Sequence, residues 1–162
     1  MIKWGAIKGV VAVVSSMLAI QFMGNVAVSL LTTLIGIATP VLILLFAFKE
    51  YKSINEGFMA LKEAIVLGLG IYLVEFLVSF AWNLLYSKVI NPGFQEEAMD
   101  AAMDQLEQTE GMSDGMLDMF MGMTEASQSI GFQIAAGLGG VVIFGLFWSL
   151  IMGLIMRKER VA

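Results

Sequence analysis

Residues 26–48 read VAVSLLTTLIGIATPVLILLFAF, an apolar stretch without a single charged side chain. An α-helix rises about 1.5 Å per residue, so about 20 apolar residues cross a hydrocarbon core about 30 Å thick. Three further stretches of this kind lie at 4–23, 64–87 and 131–156. Backbone groups in lipid must form their hydrogen bonds within one segment, so each stretch is predicted to be α-helical. The sequence therefore predicts an all-α integral membrane protein with four transmembrane helices.

The composition agrees with a membrane protein that forms a single domain over residues 1–162. Hydrophobic residues make up 59% and charged residues 14%, whereas soluble domains average about 45–50% and about 25%. Cys and His are both absent, which excludes a Ser-His-Asp triad, a Cys-His pair and the usual zinc sites. We therefore expect no enzymatic activity and no cofactor. With a net charge of -5, we also expect no nucleic-acid partner.

Basic residues are distributed unequally between the two sides that four spans define. Lys88 alone lies on the side of the segment 88–130, whereas the other basic residues lie on the side of both termini. Cytoplasmic loops are enriched in Lys and Arg, so both termini are predicted to be cytoplasmic and 88–130 to lie outside. The basic start of the first span also has features of a signal peptide, but its apolar run is longer than a usual signal core.

The segment between the third and fourth spans is strongly acidic. Between Lys88 and Ile130 it carries nine acids and one base. Asn91 and Pro92 suit the start of a helix, and acidic and apolar residues then separate onto different helical faces. We predict an extramembrane acidic helical hairpin over about 92–128. Its expected partner surface consists of Glu97, Asp100, Asp104, Asp114 and Asp118.

Glu75 is the only acid inside a predicted span, near the middle of the third. A charge at that depth is costly, so Glu75 is expected to face the bundle interior or to be protonated. Hydroxyl groups at similar depth, on Thr32, Thr33 or Ser149, are its expected hydrogen-bond partners. Two roles remain open, a proton or cation relay and a single interhelical hydrogen bond.

Methionines are concentrated in the second half of the acidic segment. Met116, Met119 and Met123 carry soft thioether sulfurs, which suit Cu(I). Methionine is also an adaptable filler of apolar helix faces. We predict no metal site, and these three residues are the candidates if one exists.

Two pairs of small residues have the spacing that lets membrane helices approach closely. They are Gly5 with Gly9 in the first span and Ala136 with Gly140 in the fourth. Such pairs act within one bundle or between chains, and the pattern does not distinguish the two.

Three short motifs resemble the bacterial "domain of unknown function 4199" family of small four-span inner-membrane proteins. They are the loop that ends in Asn55-Glu-Gly-Phe58, the stretch Ile90-Asn-Pro-Gly-Phe94, and Ser149-Leu-Ile followed by Arg157-Lys158. The family more often has Asp where this chain has Asn91. The resemblance implies a bacterial inner-membrane location, with 88–130 in the periplasm, and supplies no catalytic residue.

The sequence favours a non-enzymatic interaction or accessory subunit, embedded in the lipid bilayer and bound to another membrane protein or to itself. One alternative is a small ion or solute transporter that uses Glu75 and a bend at Pro40 in the second span. Another is periplasmic Cu(I) binding by the methionine-rich hairpin.

Overall fold

The computed structural model describes residues 1–22, 25–93 and 129–158, together with positions 97, 115, 119, 122, 123 and 126. Most of these residues form four long helices, which are α1 (Ile2–Gln21), α2 (Val26–Ile54), α3 (Leu61–Leu85) and α4 (Ile130–Met156). A π-helical turn, Tyr86–Ile90, follows α3. All four helices are long and apolar enough to cross a membrane. The described part of the chain contains no strand.

The predicted helical architecture, with four long apolar helices, is thereby confirmed. The helix ends differ from the predicted ones most clearly in α2, which continues beyond Phe48 to Ile54. The charged residues in this extension have partners on other helices, since Glu50 pairs with Lys3 of α1 and Lys52 Nζ donates to the carbonyl of Met156 at the end of α4. The predicted hairpin over 92–128 lies outside the described residues, except at the isolated positions given above.

Polar side chains define several helix ends. At the start of α2, the Asn25 side chain accepts hydrogen bonds from the backbone N–H groups of Ala27 and Val28. At the start of α4, Ser129 Oγ accepts from the N–H of Phe132 at 3.1 Å. These side chains satisfy donors that have no partner within the helix itself.

The α2–α3 connection is a tight turn with two residues at positive φ. Glu56 has φ 53° and Gly57 has φ 85°, and glycine adopts the second conformation without steric cost. Glu63 then accepts a hydrogen bond from the N–H of Ala60 at 2.8 Å, as an acid in the first turn of a helix commonly does. The turn returns the chain antiparallel to α2.

By its backbone contacts the chain divides into two compact units, Met1–Phe80 with Leu138–Ala162, and Ala81–Gly137. In the second unit, Ser87 is buried and the rings of Trp82 and Tyr86 have centroids 6.0 Å apart. The first unit contains the hydrophobic core. Its members are Ile43, Leu44, Ala47, Phe48, Met59, Ala64, Leu67, Ile71 and Met152.

Burial in the first unit is confined to one half of each helix. We call this the terminal half, because it holds Met1 and Met156; it comprises residues 2–9, 40–54, 61–72 and 145–156. Every buried residue of α1 to α4 lies in it. The remainder of the first unit's helices, residues 10–21, 26–39, 73–80 and 138–144, is the opposite half, where no described residue is buried.

Pro40 stands at the boundary between these two halves of α2. It is itself buried, and all the other buried residues of α2 follow it. A proline inside a helix removes one backbone hydrogen bond and bends the axis. The proline at which the sequence predicts a bend therefore lies where α2 enters the core.

Candidate functional site

Helices α1 and α3 approach each other closely at two glycines. A Cβ atom added at Gly5 would lie 2.5 Å from the Cβ of Val74, and one added at Gly9 would lie 2.7 Å from the Cβ of Val78. Real side chains do not fit at such distances, so the α1–α3 contact requires glycine at both positions. Of the two small-residue pairs found in the sequence, the structure places this one inside the chain's own helix packing.

Ala136 and Gly140, the second pair, have different surroundings. Ala136 is exposed, and the only described atom within 4 Å of an added Cβ at Gly140 belongs to Phe144 of the same helix. Among the residues that the structure describes, no other helix covers this pair.

Between the two glycines of α1, Lys8 forms an ion pair with Glu75 of α3. The Lys8 ammonium donates a hydrogen bond to Glu75 Oε2 and lies 3.8 Å from the centroid of the Tyr72 ring. The Lys8 side chain is 6% exposed and that of Glu75 is 21% exposed. A carboxylate, an ammonium and an aromatic face thus meet in the middle of the α1–α3 contact.

The hydroxyl partners expected for Glu75 are not the ones that the structure shows. Thr32 and Thr33 donate to backbone carbonyls of their own helix, at Val28 and Ser29. Ser149 is fully buried against Gly68, where an added Cβ would overlap its Oγ. Glu75 pairs with Lys8 instead, because a carboxylate in apolar surroundings is stabilised far more by a cation than by a hydroxyl.

The sequence pattern predicts no role for Lys8 at this site. Lys8 lies near the start of the first apolar stretch, where the sequence groups it with the basic residues on the side of the termini. Two signals were present in the sequence. Lys8 is the only base in the apolar stretch 4–23, and Glu75 is the only acid in 64–87. Lone opposite charges in separate apolar helices tend to pair, since each is costly alone.

The ion pair is expensive to maintain between apolar helices. On insertion scales, one charged residue at the centre of a membrane helix costs about 2.5–3.5 kcal/mol. Pairing offsets part of this cost, yet well-packed apolar residues in place of a buried ion pair often raise stability by about 1–4 kcal/mol. Stability alone is therefore a weak reason for this arrangement, and the pair is a candidate functional site.

Three buried hydroxyl groups accompany the ion pair. Tyr72 Oη, Ser79 Oγ and Ser149 Oγ have no hydrogen-bond partner among the described residues. A buried hydroxyl without a partner costs about 1–3 kcal/mol. At 100° per residue, one face of α3 about 60° wide holds Tyr72, Glu75 and Ser79. Gly68, against which Ser149 of α4 packs, lies on the same face. We call this surface the polar face of α3. It comprises Tyr72, Glu75 and Ser79 of α3, together with the residues that lie against it, Ser149 of α4 and Lys8 of α1.

At the terminal end, a second ion pair joins α1 to α2. Lys3 Nζ lies 2.9 Å from Glu50 Oε2, and the Trp4 indole N–H donates to the same carboxylate. Both charged side chains are well exposed, so this pair contributes little to stability.

Backbone hydrogen bonds join the end of α4 to the α2–α3 turn. The N–H of Met59 donates to the carbonyl of Lys158 at 2.9 Å, and the N–H of Lys158 donates to the carbonyl of Met59 at 3.0 Å. Lys52 Nζ also donates to the carbonyl of Met156 at 3.0 Å, which satisfies a free acceptor at the helix end. A groove of about 530 Å³ lies nearby, lined by Met1, Tyr51, Lys62, Glu63, Val66 and Leu67. Neither Lys8 nor Glu75 lines it.

The candidates in the acidic segment are only partly within the described residues. Glu97 accepts a hydrogen bond from the Asn91 side chain at 3.2 Å. Met119 and Met123 are 67% and 57% exposed. No group of three or more acids occurs at metal-binding distance in the described ranges. Outside the description lie Met116, Asp100, Asp104, Asp114 and Asp118.

Comparison with known proteins gives one match. No curated protein and no solved structure shows significant similarity to this chain. A family model described as "Protein of unknown function (DUF4199)" matches residues 3–158, which is nearly the whole chain and includes both Lys8 and Glu75. The chain therefore belongs to the DUF4199 family.

Proposed function

We propose that this protein is a non-enzymatic, multi-pass inner-membrane protein that acts by binding another membrane protein. The absence of Cys and His from the whole sequence supports a role without thiol-based or histidine-based chemistry. The four apolar helices support lipid as the solvent. The excess of basic residues on the side of the termini supports cytoplasmic termini and a periplasmic 88–130 segment.

The observation that carries the proposal is the uneven burial of the first unit. Helices in a bilayer expose one face to lipid, but a four-helix bundle normally buries an interior stripe along its whole length. Here the terminal half has such a stripe and the opposite half has no buried residue. Apart from the α1–α3 contact at Val74, Glu75 and Val78, the opposite half thus has helix surface available for a partner to cover.

The glycines show the same division between the two halves. In the terminal half, an added Cβ at Gly145 would contact Leu69, and one at Gly153 would lie 2.9 Å from the Cβ of Ala64. In the opposite half, Gly36 and Gly139 have no described atom within 4 Å of such a Cβ. Small residues permit close helix approach, so these positions suit a helix from outside the chain.

Photo-cross-linking in native membranes tests the proposal. We would place a benzoylphenylalanine probe at Leu34 or Val142 in the opposite half, which are 64% and 52% exposed. Matched controls at Val66 and Leu154 in the terminal half are 54% and 52% exposed. We expect discrete protein adducts from the first two positions and only lipid adducts from the controls.

Two differently tagged copies expressed together would show whether the partner is a second copy or a different protein. A mixed-tag adduct identifies self-association, and mass spectrometry of a single-tag adduct identifies the other protein. If all four positions give only lipid adducts, the protein is monomeric in the membrane and the proposal fails.

A further inference from the structure

We propose that the polar face of α3 passes protons between the two ends of the bundle, with Glu75 as the group that binds and releases them. This activity goes beyond partner binding and rests on different residues. Glu75 is the only carboxylate on this face, and Lys8 is its counter-charge. The other members, Tyr72, Ser79 and Ser149, contribute hydroxyl groups that both donate and accept protons.

The position of Glu75 suits such a role. In the antiparallel packing of α3 on α4, Ser149 lies against Gly68 and Gly145 lies against Tyr72. This register puts Glu75 level with about Val142, close to the middle of α4. A proton bound there lies near the middle of a helix that is long enough to cross a membrane.

The spacing of the polar groups suits proton transfer. At a helical rise of about 1.5 Å per residue, Gly68 to Ser79 spans about 16 Å along the helix axis, with axial steps of about 4–6 Å between successive positions of this face. Two hydrogen bonds through one water molecule cover about 5.6 Å. The three hydroxyls have no described hydrogen-bond partner, so each retains the capacity to donate and to accept a hydrogen bond.

Lys8 explains how a carboxylate can release its proton at this depth. In the first step, a proton moves from water at one end along the hydroxyl groups to the Glu75 carboxylate. The Lys8 ammonium then loses its counter-charge but keeps its contact with the Tyr72 ring. When the proton leaves toward the other end, the carboxylate is again neutralised by the Lys8 ammonium. Lys8 on α1 is the charged group that faces Glu75, and the described parts of α2 and α4 contribute no other. Tyr72 is the second titratable group beside it.

Proton flux into liposomes that contain the purified full-length chain tests this inference. An internal pH dye would report acidification under a potassium diffusion potential set by valinomycin. We expect flux well above that of protein-free liposomes. Glu75→Gln should reduce it by about tenfold or more, and Tyr72→Phe, which keeps the ring over Lys8 and removes only the hydroxyl, by about threefold.

Thr33→Val is the matched control, because the Thr33 hydroxyl bonds to Ser29 of its own helix and lies off the polar face. Its flux should equal that of the parent. Circular dichroism and gel filtration would show that Glu75→Gln and Tyr72→Phe remain folded. The inference is overturned if the parent chain conducts no better than protein-free liposomes, or if both variants conduct as well as the parent. Neither result depends on the cross-linking experiment.

A second measurement follows the carboxyl group itself. Dicyclohexylcarbodiimide, an apolar reagent that attacks protonated carboxyl groups, should modify Glu75 and block flux in proportion to the modified fraction. Peptide mass spectrometry would quantify the adduct at Glu75 and at Glu50, which is exposed at the terminal end. Complete absence of an adduct at Glu75 at acid, neutral and alkaline pH would mean that the carboxylate never takes up a proton, and would contradict the inference.

Discussion

Lys8 shows how much a single residue can depend on its neighbours. In the sequence it is one of several basic residues near an apolar stretch. In the structure it is buried between two glycines and held by a carboxylate and an aromatic ring. The glycines bring the backbones of α1 and α3 close enough for the lysine to reach Glu75.

The first residue-scale prediction concerns this close approach. Gly9→Ala should destabilise the fold by about 1–3 kcal/mol, because the new methyl group would overlap Val78. Gly139→Ala is the control, since no described atom lies within 4 Å of that position. It should be neutral or stabilising by up to about 1 kcal/mol. Reversible unfolding in mixed micelles measures both, and equal losses would contradict the packing described here.

The second prediction is a double-mutant cycle on the ion pair. Lys8→Met leaves Glu75 without its cation and should destabilise the chain by on the order of 3 kcal/mol. The double variant Lys8→Met with Glu75→Leu should recover most of this loss, because no charge then remains between the helices. The same unfolding assay, applied to the parent, Lys8→Met, Glu75→Leu and the double variant, gives the four free energies of the cycle. Additive losses would show that the two side chains do not interact.

At the scale of elements, the ends of the helices are set locally and their packing is not. Asn25 and Ser129 satisfy helix donors within three residues, and Gly57 turns the chain between α2 and α3. By contrast, Met59 pairs with Lys158 across nearly one hundred residues of sequence. No local pattern in the sequence indicates that pairing.

An element-scale prediction tests this junction between the α2–α3 turn and the end of α4. Lys158→Pro removes the N–H that donates to Met59, which should cost about 1 kcal/mol and speed amide exchange at Met59 by about fivefold. Lys158→Ala is the control, because it removes only the side chain that lies over Phe58 and should leave exchange at Met59 nearly unchanged. Hydrogen exchange with mass spectrometry measures both, and equal exchange rates in the two variants would show that the backbone pair is not formed.

At the scale of the whole molecule, the main property is the difference between the two halves of the first unit. The terminal half has a packed core, backbone pairing and the Lys3–Glu50 ion pair, whereas the opposite half has no buried residue and exposes large apolar side chains on all four helices. A bilayer solvates such side chains as well as a protein does, so the hydrophobic effect alone does not close this half. A partner helix that packs against the small residues of the opposite half would cover it.

A whole-molecule prediction tests the orientation. The chain contains no Cys, so single cysteines can be introduced without background. Ser129→Cys, just before α4, should react with a membrane-impermeant maleimide in intact cells. Ser53→Cys, near the end of α2, should react only after the membrane is permeabilised. Both positions are exposed, and the reverse pattern would show that the termini lie outside.

The sequence by itself determined that this chain forms four long apolar helices, because span length and hydropathy are sums over neighbouring residues. Three short motifs in it were enough to indicate the family that it resembles. It also marked Glu75 as unusual and Gly5 with Gly9 as a contact surface. Only the tertiary structure decided that Lys8 is the partner of Glu75, that Tyr72 and two serines line up beside them, and that one half of the first unit lacks a core. These features depend on the register between helices, and apolar stretches that are hydrophobic on all sides carry almost no information about which face meets which neighbour.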